Sequence, residues 1–145
     1  DNHKIKLHQN CHEILLDFYN LLEKENFRVE VHIKDKPLYA NADADAISRI
    51  LKNLIDNAIK YGSSGKFLGL SLYEKNNHIF IDIEDHGKGI SETDKKYIFT
   101  RTYTVDRKKG NGLGLAISQG LASSMGGSIS VFSIPRKKTV FTVRL

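Results

Sequence analysis

The chain has 145 residues, 40% of them hydrophobic and 27% charged, which suits one globular domain with a real core. Its single cysteine, Cys11, excludes an intrachain disulfide and suits a reducing compartment, and no apolar run nears the roughly 20 residues that span a bilayer. The formal charge of +5 sits partly at Arg107-Lys108-Lys109 and Arg136-Lys137-Lys138, without the interleaved aromatics of a nucleic-acid surface, so solvated loop charge is expected and no nucleic-acid partner.

In chain order, the first expected element is an amphipathic helix over 11–26, with Ile14, Leu15, Phe18, Leu21 and Leu22 on one stripe. Val29, Val31 and Ile33 then alternate with Glu30, His32 and Lys34, the period of a half-buried strand. Pro37 interrupts the pairing pattern, and Leu38-Tyr39-Ala40 is a short strand. Asp43 or Asp45 caps a helix over 46–61, whose apolar face is Ile47, Ile50, Leu51, Leu54, Ile55, Ala58 and Ile59. Gly62-Ser63-Ser64-Gly65 stops it.

Strands over 67–73 and 78–84 follow, joined at Asn76-Asn77, a good hairpin turn. A short helix over 92–98 precedes an aperiodic stretch, 99–111, whose length in a compact domain suggests a mobile lid or binding loop. A helix over 113–125 is stopped by Gly126-Gly127, and strands over 129–134 and 139–144 close the chain as a hairpin. Strict βαβ alternation is absent. The expected fold class is therefore α/β, a two-layer sandwich with helices on one face of a mixed, mostly antiparallel sheet.

Asn53 and Asn57 stand four residues apart on the second helix, so both carboxamides project from one face about a turn apart. A carboxamide oxygen is a hard, uncharged ligand of the kind Mg²⁺ accepts alongside waters and substrate phosphates. Lys60 and Tyr61 end the same helix, placed to reach a phosphate and to pack on a base, or simply to serve as a C-terminal cation and a half-buried aromatic. Asp85-His86-Gly87-Lys88-Gly89 leaves an alternating strand. Its carboxylate is suited to accept from an exocyclic amine, with glycines allowing close approach, though a plain turn uses the same residues.

Gly110-Asn111-Gly112-Leu113-Gly114-Leu115 feeds a helix N-terminus, where unpaired N–H groups favour phosphate, with a flexible hinge as the alternative. It neither follows a buried strand nor contains Gly-Lys-Ser/Thr, so dinucleotide and Walker-type sites are disfavoured. No histidine stands at metal-ligand spacing from cysteines or carboxylates, no serine or cysteine sits in a nucleophile motif, and His12-Glu13 reads as ordinary helix sequence.

Taken in order, these motifs resemble the catalytic, ATP-binding domain of bacterial sensor histidine kinases, in the superfamily with gyrase B, Hsp90 and MutL. Asn53-Leu-Ile-Asp-Asn57-Ala-Ile-Lys60-Tyr61 is similar to the N box, and Asp85-His-Gly87-Lys-Gly89 and Gly110-Asn-Gly112-Leu-Gly114-Leu115 to the two glycine boxes. Tyr97-Ile-Phe99-Thr-Arg101-Thr-Tyr103 corresponds to the phenylalanine box. The resemblance spans essentially all 145 residues and implies a Bergerat-type ATP-binding fold. Thr102 stands where many members carry a second aromatic, which bears on lid packing rather than on nucleotide binding.

The resemblance implies roles. Asn57 coordinates Mg²⁺, and Asn53 supports metal and triphosphate. Asp85 binds the adenine amine, with Gly87 and Gly89 beside it. Lys60 and Tyr61 line the phosphate and base ends, and Arg101 reaches the γ-phosphate. Gly110, Gly112, Leu113, Gly114 and Leu115 close the lid and present backbone amides. Asn53, Asn57 and Arg101 form the expected catalytic set.

Hydrolases of the superfamily resemble one another in placing a glutamate where this chain has Asn53. An amide cannot take a proton from water, so transfer to a histidine is expected over rapid hydrolysis. The implied cofactors are ATP and Mg²⁺. The implied partners are the protein's own dimerisation and histidine phosphotransfer helices and, through them, a response regulator. The chain opens at Asp1 without methionine, as expected of an excised domain. The resemblance further implies a monomeric, cytoplasmic domain of a homodimeric kinase anchored in the cell membrane. A nucleotide-gated interaction module and a superfamily ATPase are the alternatives.

Overall fold

The computed structural model describes residues 2–34, 36–100 and 114–145. Strand β1 (His3–Lys6) leads into α1 (Leu7–Lys24), β2 (Arg28–Ile33), β3 (Tyr39–Ala42) and α2 (Ala44–Tyr61). Then come β4 (Phe67–Lys75), β5 (His78–Asp85), the single turn α3 (Glu92–Lys95), α4 (Gly114–Ser124), β6 (Ser128–Ile134) and β7 (Lys138–Arg144).

The central helix forms as its periodicity dictates. Of the two candidate caps, Asp43 is the one used, its side chain accepting from Asp45 N at 2.9 Å and Ala46 N at 3.1 Å. The helix thus starts at Ala44, two residues before the expected start at 46. Ile47, Ile50, Leu51, Leu54 and Ile55 are fully buried. Each contributes roughly 1.5–3 kcal/mol by leaving water, so packing outweighs the ~1 kcal/mol of the cap. Gly62 caps the end of the helix, its N–H donating to Ala58 O at 2.8 Å, and nothing larger fits there: an added Cβ would lie 2.5 Å from both Ala58 O and Asp85 Cβ.

The main sheet runs β2-β4-β5-β7-β6, with β2 and β4 parallel and the other pairs antiparallel. The parallel pair is a crossover through α2, which makes the sheet mixed. Asn76 and Asn77, at φ 52° and 64°, form the two-residue turn that sets the β4–β5 register of Lys75 opposite His78. Leu68, Leu70, Leu72, Ile79, Ile81, Ile83, Phe141 and Val143 face the helices and are buried. The alternate residues, among them Phe80, Asp82, Glu84 and the exposed Phe132, line the other face, as period-2 geometry requires.

Three expectations shift. Strand β1 was not anticipated: it pairs antiparallel with β3, His3 opposite Ala42 and Lys6 opposite Tyr39, in a separate two-stranded sheet. Helix α1 accordingly begins at Leu7, whose N–H donates to Leu38 O at 2.9 Å, and no side chain caps it. Helix α3 is one turn shorter in effect than the expected 92–98, capped by Ser91 accepting from Asp94 N at 3.1 Å. Ile98, beyond its end, still reaches the core at 2% exposure.

Candidate functional site

Helix α2 carries the two carboxamides on a half-buried face. Asn53 Nδ2 donates to Gly114 O at 3.2 Å and to Ser118 Oγ at 2.9 Å, both on α4. Those two bonds engage both amide hydrogens, and among the described residues no donor reaches its Oδ1. Asn57, one turn on, makes no side-chain hydrogen bond among the described residues. Lys60 Nζ lies 2.9 Å from Asp56 Oδ2 in an exposed (i, i+4) pair, and Tyr61 is half-buried at the helix end.

Asp85 closes β5 on the helix-facing side and is 7% exposed. The alternation that buries Ile79, Ile81 and Ile83 puts this carboxylate in the same row, against the end of α2. Its Oδ1 accepts from Gly87 N at 2.9 Å, and among the described residues no donor reaches the other oxygen. Burial pushes its carboxyl up to about 6; the Gly87 N–H and His86 oppose that shift and Glu84 adds to it. Glycine is required around it. A Cβ on Gly87 would sit 2.4 Å from Gly62 Cα, and one on Gly62 would overlap Asp85.

Gly89, at φ +83°, is held by the turn after β6: an added Cβ would meet Pro135 Cα at 2.7 Å, and Arg136 N donates to Lys88 O at 3.0 Å. The buried Ser133 Oγ accepts from Ile90 N at 3.0 Å and bonds Thr139 Oγ1 at 2.8 Å, fixing the loop that leaves Asp85. On the opposite face, the His86 ring stacks on Phe67 at 3.8 Å, its Nε2 bonds Glu84 Oε2 at 2.6 Å, and the Arg28 guanidinium lies 4.6 Å from the Phe67 ring centre.

Of the residues singled out from sequence, Asn53, Asn57, Lys60 and Tyr61 share α2, and Asp85 and Gly87 abut its C-terminal end. Gly114 and Leu115 open α4 beside Asn53. A Cβ on Gly114 would make only ordinary contact with Asn53 Cγ at 3.8 Å, so packing among the described residues does not demand glycine there. Arg101, Thr102, Gly110, Gly112, Leu113 and most of the expected 99–111 lid lie outside the described residues. His12 is exposed on α1. Sequence reasoning missed Ser118, the close approach of Gly62 to Asp85 and the His86–Phe67 stack, because each acts through a partner distant in the chain.

Residues 42–145 match the family model described as "Histidine kinase-, DNA gyrase B-, and HSP90-like ATPase". The chain belongs to this family. It is similar to the sensor histidine kinase YcbM of Bacillus subtilis (strain 168), with 43% identity over 147 residues covering 97% of this chain and 47% of YcbM. The chain thus spans about half the length of that relative. Among solved structures, the nucleotide-free catalytic domain of histidine kinase ThkA superposes with a TM-score of 0.89 at 23% identity, over 100% of this chain and 95% of ThkA's. Full-length ShkA in complex with AMPPNP gives 0.84 at 19% identity, over 99% of this chain and 30% of ShkA's. The fold of this family member is that of histidine kinase catalytic domains, a sandwich with a mixed, mostly antiparallel sheet.

Proposed function

We propose that this domain binds Mg²⁺–ATP along α2 and transfers the γ-phosphoryl group to a histidine on a separate helical domain of the same kinase. The observation that carries the reading is the polarity of the site. A buried carboxylate with an unengaged oxygen stands at the C-terminal end of α2, and carboxamides stand at its middle beside the start of α4. By helical rise, Asn53 and Gly62 are ~13 Å apart, comparable to the span from base to γ-phosphate in a nucleoside triphosphate. ShkA, which shares the fold, carries AMPPNP.

Each residue then has a task. The free oxygen of Asp85 accepts from the exocyclic amine of adenine, which selects against guanine. The N-terminus of α4, 11 residues long, offers N–H groups and a favourable dipole to phosphate oxygens. Among the described residues, no group of three or more His, Cys, Asp or Glu side chains could hold a metal ion alone. The donor set fits Mg²⁺ nonetheless, because that ion is held by few protein oxygens plus phosphates and water, and the carboxamide oxygens of Asn57 and Asn53 are unengaged. When bound, the ion neutralises phosphate charge. Lys60, Tyr61 and, on the resemblance alone, Arg101 complete the pocket.

Asn53 cannot accept a proton from water, so the site lacks a hydrolytic base at that position. A neutral imidazole nitrogen needs none, and catalysis is positioning plus charge neutralisation. The whole protein is proposed to be a homodimeric sensor kinase with a membrane anchor, signalling to a response regulator. The test is reconstitution. The isolated chain should bind Mg²⁺–ATP without labelling itself, and adding the kinase's helical domain should produce phosphohistidine on that domain. Robust self-labelling of the isolated chain would overturn the partition.

A further inference from the structure

A carboxamide is ambidentate: rotated by 180°, it offers an amine where an oxygen stood. Mg²⁺ accepts only the oxygen, so a site that uses Asn53 must fix its orientation. In this fold the fixing groups are on α4. Gly114 O can only accept, and it takes one Nδ2 hydrogen at 3.2 Å. The second hydrogen goes to the hydroxyl of Ser118 at 2.9 Å. Ser118 is fully buried on a helix whose other buried residue is Ala122. A buried hydroxyl needs a partner, and that need is met here by a side chain 65 positions away on the face of α2 that carries both carboxamides.

We propose that Ser118 is a positioning residue for Asn53: Gly114 O, which can only accept, sets which end of the carboxamide faces α4, and the Ser118 hydroxyl holds Nδ2 there, so that Oδ1 is presented to the Mg²⁺–phosphate end of the site. The inference rests on the nucleotide-binding reading above. The bond also links α4 to the helix that carries Asn57, while Gly114 O, bonded to the same Nδ2, holds the first turn of α4 in place by itself. Ser118 thus sets two of the site's components against each other without touching the nucleotide. Its effect is confined to the metal-dependent part of binding, because the Asp85 end is held by other contacts.

The experiment measures the dissociation constant of the full chain for ATP by calorimetry, once with Mg²⁺ and once with EDTA, alongside thermal melting. Wild type, Ser118→Ala, Asn53→Ala and the double variant are compared. Loss of one neutral hydrogen bond to the carboxamide is expected to weaken Mg²⁺–ATP binding by roughly 3- to 10-fold. Binding in EDTA should change less than about twofold, and Ser118→Ala should add less than about twofold in the Asn53→Ala background.

Equal weakening with and without Mg²⁺ would overturn the proposal, as would an undiminished Ser118→Ala effect in the double variant. No change in Mg²⁺–ATP affinity in a folded Ser118→Ala protein would overturn it too. Should that variant melt below the assay temperature, Ser118→Cys, close in size but a poor acceptor, carries the same expectations. A wild-type chain that binds no ATP refutes the nucleotide reading itself. A binding wild type with an indifferent Ser118 refutes only the positioning.

Discussion

The two ends of the candidate site are built in opposite ways. At the Asp85 end, backbone meets backbone: Gly62 and Gly87 pack so closely that neither tolerates a methyl group, and the carboxylate is 7% exposed. At the Asn53 end, two helices are joined by side-chain hydrogen bonds at 2.9 and 3.2 Å, and Asn57 beside them is half-buried and unengaged among the described residues. The first end is a product of the core and shares its stability. The second is polar and local, so it can be altered without unfolding the domain. Substitutions should therefore separate stability from activity, end by end.

The largest effect is expected at the polar end. Asn57→Ala removes the proposed Mg²⁺ ligand and should slow phosphoryl transfer to the helical domain roughly 100-fold or more, about 3 kcal/mol. Its melting temperature should stay within about 2 °C of wild type, since the carboxamide has no described partner to lose. A variant that melts much earlier while transferring normally would invert the comparison. Reconstituted phosphotransfer and thermal melting decide it together.

Gly87→Ala probes the packed end. Its Cβ would meet Gly62 Cα at 2.4 Å, backbone against backbone, which no rotamer change relieves. Denaturant unfolding should show a loss of about 1–3 kcal/mol, the usual range for overpacking. A loss under about 0.5 kcal/mol would show that the two segments separate freely, and the close approach would then have no stability role.

Asp85→Asn should show the opposite sign. Burial disfavours the charge and pushes the folded-state carboxyl up to about 6, from an ordinary 3.8. Between about pH 4 and 6 the native state therefore holds more protons than the unfolded chain, so the stability tied to the protonated form falls as pH rises through that window. At pH 7.5 the buried charge is fully present and costs stability. The neutral amide should gain about 1–2 kcal/mol there, with the gain fading below pH 4. ATP binding should weaken roughly 10-fold, as a charged acceptor becomes a neutral one. Unfolding measured from pH 4 to 8 checks the sign, and a flat difference would sink it.

How much of this was legible in the chain follows the same division. The α2 apolar face, the Asp43 cap and the Asn76-Asn77 turn are local signals, and the structure uses each of them. The carboxamide pair, Asp85 and the glycines stood out by residue type and spacing. Strand β1 did not, because four residues with two lysines carry no pattern until β3 pairs with them. Gly62 reads locally as a helix stop, whereas its second duty, to admit Asp85, appears only when β5 lies against α2. Ser118 looks like a stray polar residue on an apolar helix, and only the packing of α4 on α2 gives it a partner.

The smallest expected effect lies one residue from one of the larger ones. Asp85 and His86 are neighbours, but alternation sends them to opposite faces of the sheet. Asp85 faces the helices, while His86 lies flat on Phe67 at 3.8 Å, bonded to Glu84 and packed against Gly65. His86→Ala should therefore cost the stack and the part-exposed hydrogen bond to Glu84, together about 1 kcal/mol of stability, and change ATP affinity less than about threefold. The Phe67→Leu change should produce a loss of similar size, and the two should be non-additive, since each removes the same ring contact. If His86→Ala instead weakened ATP binding as much as Asp85→Asn, the two faces of the strand end would be coupled through the Gly87 turn. The packed end would then owe its geometry to the open face of the sheet as well as to the core.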